Sequence, residues 1–481
     1  MFDPESGHIR VLLEVIPSES LLAAIDEDTS LAGNPNAAQA LSGAGMSVDP
    51  AWPALSLGPD RPTIGSTLAD RPRFESIRGT LNKVGETVNK VGETLPMEFR
   101  IPTWEAPERR TVLFRAGLPP GDAATKALAV AAEQTRVVGV YSDPQVALAS
   151  RRIKDPAYGT ADDVAERMGV ARLHESGLNG EGVPVVVVDS GISLDYLRDR
   201  GREHELDPVL SCTTKGSPHA PGQFPAGHGT LAAFQIGIAA PQATLVDQGV
   251  LTDRTPTDGE PLIQAWLSDI EPGYVELHRY LSALDKPSRR LVVSNSWAMI
   301  RPDWDFEIEH VQNFSDNPQH PFNRMVCELT ELGADFLFSA GNCGELDPVG
   351  RCGFKTQPIC GANSLEEVIT VGAVAIDGTR LGYSSQGPGR IVVEKPDLCG
   401  YSHYQGSGIG SPPVDWGTST ACPGVAGVIA ALRTRYSSDE LSPYDLKRVV
   451  LESARRPSGA GHSPDTGYGV IDAAALLDRL P

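Results

Sequence analysis

No stretch of this sequence approaches the roughly 18 consecutive apolar residues of a membrane-spanning helix. The N-terminus, Met1-Phe2-Asp3-Pro4-Glu5, lacks the positive flank and apolar stretch of a secretory signal. These two absences set the expectation of a cytoplasmic protein with no membrane partner. Basic residues are scarce: 41 Lys and Arg stand against 62 Asp and Glu, a formal net charge of −21 at pH 7. That imbalance argues against nucleic acid as a partner. The seven cysteines are Cys212, Cys327, Cys343, Cys352, Cys360, Cys399 and Cys422. Their odd number, without tandem C-x-x-C pairs, argues against a disulfide framework or a zinc ribbon. Cys343, Cys352 and Cys360 cluster just after Asn342, where one disulfide would brace the loop. The favoured reading is nonetheless free thiols packed as small hydrophobes.

What is present is an ordinary globular composition, 40% hydrophobic and 21% charged. At 481 residues the chain exceeds one ordinary core, so two domains or one large domain with an appendage are expected. His8 to Val15 reads as a strand and Ser18 to Ile25 as a short helix. Residues 28 to 75, rich in Gly, Pro, Ser, Ala and Asp, read as loosely attached. Asn82-Lys-Val-Gly-Glu-Thr87 repeats as Asn89 to Thr94, and Leu81, Val84, Val88, Val91 and Leu95 fall at heptad spacing. Two heptads with a glycine in each make a marginal helix, suited to a linker or to docking on a protein partner. Residues 110 to 150 read as a strand–helix–strand unit, with the helix over Asp122 to Glu133, followed by a basic junction at Arg151 to Lys154.

From residue 160 onward, strands and helices alternate. Candidate strands begin at Val185, Ala243, Leu291, Asp335 and Val368. Helices are expected over 161–176, 262–284 with a break at Pro272-Gly273, 322–332, 438–454 and 470–479. Such alternation predicts a doubly wound, mainly parallel sheet flanked by helices. The division expected is therefore a partly flexible region 1–109, the 110–150 unit and a large α/β domain over 160–481.

Three stretches carry the chemistry. Gly417-Thr-Ser419-Thr-Ala-Cys-Pro-Gly424 opens the apolar run Val425 to Leu432, a buried helix. A serine there meets free backbone N–H groups and the positive end of the helix dipole, which suits a nucleophile whose product is an oxyanion. On its own the octet reads equally well as a capped core helix. Val185 to Val188 is a β-branched run ending in Asp189-Ser190-Gly191, an acid at the tip of a buried strand. Gly227-His228-Gly229-Thr230 opens a second buried helix, Leu231 to Ile238.

Together with Ser339-Ala-Gly341-Asn342, these motifs resemble, in content and order, the subtilisin-like serine proteases, the subtilases. Tyr383-Ser-Ser-Gln-Gly-Pro, Lys395-Pro-Asp-Leu and Gly467-Tyr-Gly-Val-Ile-Asp-Ala473 add weaker matches, and the likeness covers about residues 160 to 481. The chain order Asp, His, Ser is that of subtilisin. The resemblance implies a divergent, intracellular-type serine endopeptidase. Ser419 is then the nucleophile, His228 its base, Asp189 the residue that orients the base, and Asn342 an oxyanion donor. Ser296-Trp297-Ala298 and Gly341 are expected to bind the substrate backbone. The family usually has glycine where Ala298 stands, so an added methyl narrows the cleft. Leu231, Thr420, Cys422 and Gly424 also depart from the family pattern, which puts specificity in question but not the reaction class.

The expected partner is a peptide or protein substrate, with the 110–150 unit resembling a propeptide by position. No cofactor is assigned. The family leaves room for structural calcium, and the acidic loop Asp303, Asp305 and Glu307 merely permits it. The alternative is a catalytically silent subtilase fold used for binding, which predicts loss of a triad or oxyanion residue; none is lost. A nucleotide-binding reading fails because Gly406-Ser-Gly-Ile-Gly410 lacks the required glycine spacing.

Overall fold

The computed structural model describes residues 155–456 and 461–480, except 254–261, 308, 309 and 311. Within the first 148 residues it describes 2–3, 8–17, 38, 41, 46–50, 52, 54–57, 111–119 and 136–148. The expected helices at 18–25 and 122–133, the heptad at 81–95 and the junction at 151–154 lie outside the described residues.

The first half builds a six-stranded antiparallel sheet. Its long members are β1 (His8–Ile16), β2 (Thr111–Leu118) and β3 (Arg136–Ser142). β1 lies between the other two, paired to β2 from Ile9 to Val15 and to β3 from Val11 to Ile16. The sheet therefore draws on both sides of residue 110, across the division expected there. Ser47–Val48 and Leu55–Leu57 also pair with β2. This part of the 28–75 stretch is not loosely attached, because Met46, Val48, Trp52 and Leu55 are all buried. After β3, only Asp143 and Pro144 separate the sheet from β4 (Gln145–Leu148), which leaves it altogether.

The second half forms a seven-stranded, wholly parallel sheet. It contains β5 (Pro184–Asp189), β6 (Thr244–Gly249), β8 (Leu291–Asn295), β9 (Ala334–Ser339), β10 (Ile369–Val374) and β11 (Leu398–Tyr401), with Cys212–Thr213 at one edge. β7 (Ile263–Trp266) pairs instead with β4. The spatial order is β11-β10-β9-β8-β5-β6. From β5 the chain winds outward to β6, and from β8 it winds the other way. The crevice between β5 and β8 is thus the switch point at which open α/β sheets hold ligands.

The β-branched run explains the layering. Val185 and Val187 face the core that contains α2 (His228–Ala239) and α5 (Thr418–Arg433), whereas Val186 and Val188 face the core built on α3 (Leu267–Ala283) and α4 (Pro321–Leu332). A strand apolar on both faces belongs in the middle of a covered parallel sheet. The helix expected over 161–176 divides at Gly169, which ends α1 (Ala161–Met168) in a left-handed conformation before a second short helix, Val170–Glu175.

The antiparallel sheet docks on the α3/α4 side, where Leu12, Trp52 and Leu113 share that core with Val146 and Leu148 of β4. Each side chain contributes at most about 1.5–3 kcal/mol by burial, so these contacts outweigh the surface ion pairs, worth about 0–1 kcal/mol each. Asp143 anchors the link to β4: it accepts from Ser268 N (2.9 Å) and Ser268 Oγ (2.8 Å), in the first turn of α3, and from Arg10 Nε (3.1 Å). Arg324 of α4 donates to Glu14 of β1 at 2.8 Å.

Residues 262–284 depart from expectation. Ile263–Trp266 is a strand, and α3 runs without a break through Pro272. Proline lacks the N–H that would bond the carbonyl four residues back. That carbonyl belongs to Ser268, and Trp52 Nε1 donates to it at 2.8 Å. A residue distant in sequence thus satisfies the group that the proline abandons.

Candidate active site

Three neighbouring strands end in the residues that the sequence singles out. β5 ends at Asp189, β8 runs into Ser296-Trp297-Ala298, and β9 runs into Ala340-Gly341-Asn342. α2 and α5 begin at the same edge and pack together so closely that a Cβ on Gly427 would stand 2.5 Å from the Ile236 carbonyl oxygen. Gly427 lies as far past Ser419 as Ile236 lies past His228. The two helices therefore touch at corresponding positions, eight residues into each from His228 and from Ser419.

Asp189 is fully buried, and His228 is partly exposed. The His228 Nδ1 lies 3.0 and 2.9 Å from the two carboxylate oxygens of Asp189. Ser190 N–H donates to Asp189 Oδ1 at 2.7 Å, and Ser190 Oγ accepts from Gly229 N at 3.1 Å, tying the strand end to the start of α2. A carboxylate on Nδ1 requires that nitrogen to carry its proton, which leaves Nε2 as the basic atom. Nε2 is buried and has no hydrogen-bond partner among the described residues, Ser419 included.

Ser419 is 4% exposed, and its carbonyl accepts from Ser296 Oγ at 3.3 Å. Its N–H lies in the first turn, where no intrahelical carbonyl is available. Asn342 Oδ1 accepts from Thr418 N (2.9 Å) and Thr418 Oγ1 (3.1 Å), so the amide presents Nδ2 toward Gly417. A Cβ on Gly417 would stand 2.9 Å from Ser419 Oγ and 3.0 Å from Asn342 Nδ2. Gly417 has φ +90° and ψ 162°, a conformation essentially reserved for glycine. It leaves open a space flanked by the hydroxyl and an amide donor.

Gly341 and Ala298 line a cleft together with Ser296, Ser339, Ile300 and Asn342. Trp297 does not line it: the indole is fully buried, edge-on to Phe322 and Phe338. In Ser296-Trp297-Ala298 the middle residue points into the sheet's core, as strand alternation requires.

The cleft is occupied by the chain itself. Ala147 N donates to Ala298 O at 2.9 Å, and Ala298 N donates to Ala147 O at 3.1 Å. On its other side β4 pairs antiparallel with β7, Ala147 opposite Gln264. β4 is therefore held on both sides, by its pairing with β7 and by the single bridge to Ala298, through main-chain bonds that require no particular side chain.

Three further residues shape the site. Thr418 orients Asn342 and also accepts from Gly341 N at 3.1 Å; its place in the Gly-Thr-Ser motif was the available signal. Tyr383 Oη accepts from Gly417 N at 3.1 Å, and Tyr383 opens a motif quoted above. Asp247, on β6 beside β5, had no signal. Its Oδ2 accepts from Gly222 N (2.8 Å) and Ile192 N (3.1 Å), while Oδ1 is buried without a partner among the described residues. Burial is the main reason that its pKa is pushed up to about 7, and nearby Asp189 adds to the shift.

Cys343 and Cys352 form a disulfide, whereas the sequence favoured free thiols. The bond closes the loop that starts directly after Asn342, and Val349 N donates to Asn342 O at 3.0 Å inside it. In the acidic loop Asp303 and Asp305 already have partners. Asp303 pairs with Arg301, and Asp305 accepts from the N–H groups of Phe306, Phe314 and Ser315. No group of three or more His, Cys, Asp or Glu side chains among the described residues is arranged to hold a metal ion.

A doubly wound α/β protein with its polar site at the carboxyl edge of the sheet is the class that this fold and site define. Residues 180–470 match the model of the Subtilase family. The chain belongs to that family. It is 26% identical over 326 residues to the subtilisin-like protease PopC of Myxococcus xanthus, covering 64% of this chain and 62% of that one. It is 26% identical over 336 residues to a calcium-dependent protease of Trichormus variabilis, covering 62% of this chain and 46% of that one. The chain thus spans less than two thirds of the length of either relative. Among solved structures, the serine protease of Aeromonas sobria in complex with its chaperone is 20% identical, with a TM-score of 0.45 over 65% of this chain and 62% of that one.

Proposed function

We propose that this chain is a serine endopeptidase that works through Ser419, His228 and Asp189 and an acyl-enzyme intermediate. Ser419 Oγ attacks the peptide carbonyl while His228 Nε2 takes its proton, then returns it to the departing amine. Asp189 holds the imidazole in the tautomer that leaves Nε2 basic and stabilises the imidazolium. Asn342 Nδ2 and the Ser419 N–H donate to the oxyanion in the space that Gly417 leaves open, an interaction that grows in the transition state. A water molecule then attacks the ester by the same route in reverse. The observation that carries this reading is the Asp189–His228 Nδ1 pair, with an unpartnered Nε2 at the same helix-end edge as Ser419.

The same reading makes the first 150 residues a propeptide-like inhibitor. β4 takes the place of a substrate strand beside Ala298, and the antiparallel sheet holds it there. A tethered strand competes at high effective concentration, so the intact chain is expected to be latent.

The test is fluorophosphonate labelling and peptide hydrolysis, before and after limited proteolysis of the first 150 residues. Wild type is expected to label at Ser419 and to cleave peptides once opened. Ser419→Ala and His228→Ala are expected to lose both signals while keeping the wild-type unfolding temperature. Turnover by a pure Ser419→Ala protein overturns the assignment. Absence of labelling in opened, folded wild type leaves a silent binding fold instead.

A further inference from the structure

Resting on that reading, we infer that Tyr383 and Ser402 are positioning residues: their hydroxyls and the two polar groups of Gly417 close a ring of hydrogen bonds that holds the oxyanion space open. Gly417 N donates to Tyr383 Oη (3.1 Å), Tyr383 Oη lies 2.9 Å from Ser402 Oγ, and Ser402 Oγ donates to Gly417 O (2.8 Å). An amide N–H only donates and a carbonyl only accepts. Ser402 therefore gives its proton to Gly417 O, and Tyr383 gives its own to Ser402. Each proton in the ring has one direction. Both side chains are buried, so losing one leaves its neighbours in the costly state of a buried polar group without a partner.

Gly417 is a residue that has to be held. Glycine has the widest choice of conformations, and φ +90° with ψ 162° is a sparsely populated one that persists only where the surroundings over-determine it. The peptide that follows carries Gly417 O at one end and Thr418 N at the other. Ser402 holds the first, and Asn342 Oδ1 accepts from the second at 2.9 Å. Rotating that peptide breaks both bonds at once, so the ring and the Asn342 amide hold or fail together. Gly417 O also accepts from Thr420 N at 3.1 Å. The carbonyl is thus secured twice, and the N–H depends on Tyr383.

The segment that carries Tyr383 also brackets Asn342. Tyr383 O accepts from Gly344 N (2.9 Å), Ser385 N donates to Gly341 O (3.0 Å), and Ser385 Oγ accepts from Cys343 N (3.0 Å). Residues 383–385 therefore tie the loop of one oxyanion donor to the turn that leads into the other, the Ser419 N–H. The Tyr383 ring is itself set edge-on to Trp416, with centroids 5.7 Å apart. Ser402 directly follows β11, and its N–H donates to Val374 O at 2.9 Å.

The experiment measures peptide hydrolysis, unfolding temperature and the affinity of a peptide boronate for opened wild type, Tyr383→Phe, Ser402→Ala and the double variant. The boronate bonds to Ser419 and sets an oxygen in the oxyanion space, so it reads that space without turnover. A misplacement of about 1 Å costs about 100-fold. Tyr383→Phe is therefore expected to lower kcat about 10–100-fold with KM changed less than about twofold, and to weaken the boronate by a similar factor. Ser402→Ala is expected to act in the same direction by less, since Thr420 still holds the carbonyl. The double variant is expected to lose at most about twofold more than Tyr383→Phe, because the ring is already open. Wild-type kcat in the folded single variants overturns the inference and leaves the endopeptidase reading intact. A loss confined to KM, or a loss of kcat with boronate affinity unchanged, overturns it too. If Tyr383→Phe does not fold, Ser402→Ala decides by the same readings. Opened wild type that neither labels at Ser419 nor cleaves any peptide sinks the endopeptidase reading and this inference with it.

Discussion

Asp247 has one oxygen bonded to two backbone N–H groups and the other buried with no partner among the described residues. Its pKa rises from 3.8 to about 7 on folding. Between those values the unfolded chain has released a proton that the folded chain keeps. Folding then takes up a proton, so this residue's contribution to stability falls as pH rises through that window and levels off above about 7. Asp247→Asn keeps an oxygen for Gly222 and Ile192 and puts an uncharged amide where the lone oxygen is. Urea midpoints at pH 5 and pH 8 are expected to differ less for Asp247→Asn than for wild type. An equal or larger difference disproves a buried acid at this site. The residues that sequence reading singled out, Asp189, His228, Asn342 and Ser419, stand in short runs of unusual composition. Asp247 stands in Thr244–Gly249, a run that looks like any core strand, and only the loops that converge on it give it a role. Trp297 fails for the complementary reason: its motif is legible, but the direction of one side chain follows from strand alternation against a particular core. Lys395-Pro-Asp397 was legible as a motif and proves structural, with Lys395 Nζ bonded to Asp397 Oδ2 and Asp397 Oδ2 accepting from Thr370 N at the start of β10.

At the scale of the element, local signals served well where an element carries its own reasons to form. β5, α2 and α5 read from β-branched or mostly apolar runs because burial on all sides leaves few polar residues in them; Gln235 in α2 is buried and donates to Asp415. α3 reads badly because a proline breaks a helix only when nothing else satisfies the carbonyl it frees. The Trp52 bond to Ser268 O is the missing term, and it comes from more than 200 positions away in sequence. Trp52→Phe removes the donor and is expected to cost about 1–3 kcal/mol, the usual penalty of a stranded buried polar group. Pro272→Ala returns an N–H within α3. The loss in the double variant is expected to be smaller than in Trp52→Phe alone, read from urea denaturation of all three proteins. Strictly additive losses would show that the proline and the indole act independently.

Among the described residues, a parallel sheet presents a cleft, an antiparallel sheet docks beside it, and β4, which follows that sheet, fills the cleft. This arrangement was half legible. The three long strands of the antiparallel sheet read from their patterns and its short strands did not, while β1 was assigned to a different unit because pairing over about 100 residues leaves no local trace. A protein lacking residues 1–150, given that segment as a separate chain, is expected to lose peptidase activity as the segment is added. The Ala147→Pro segment, which cannot donate to Ala298 O, is expected to inhibit less well. If added segment leaves the cleavage rate unchanged, β4 is no inhibitor.

The short link between the antiparallel sheet and the occupied cleft has a further consequence. Asp143 and Pro144 are the only residues between β3 and β4, and Asp143 is clamped to the first turn of α3. The strand cannot slip out while the sheet stays docked, so the two leave together or not at all. A single cut after β4 is therefore a change in molecularity and not yet a release. On the function proposed above, one molecule inhibiting itself then becomes a pair whose partnership is set by dilution and by whatever destroys the loosened partner first. On that reading, the timing of activity belongs less to the cut than to the lifetime of the fragment it creates.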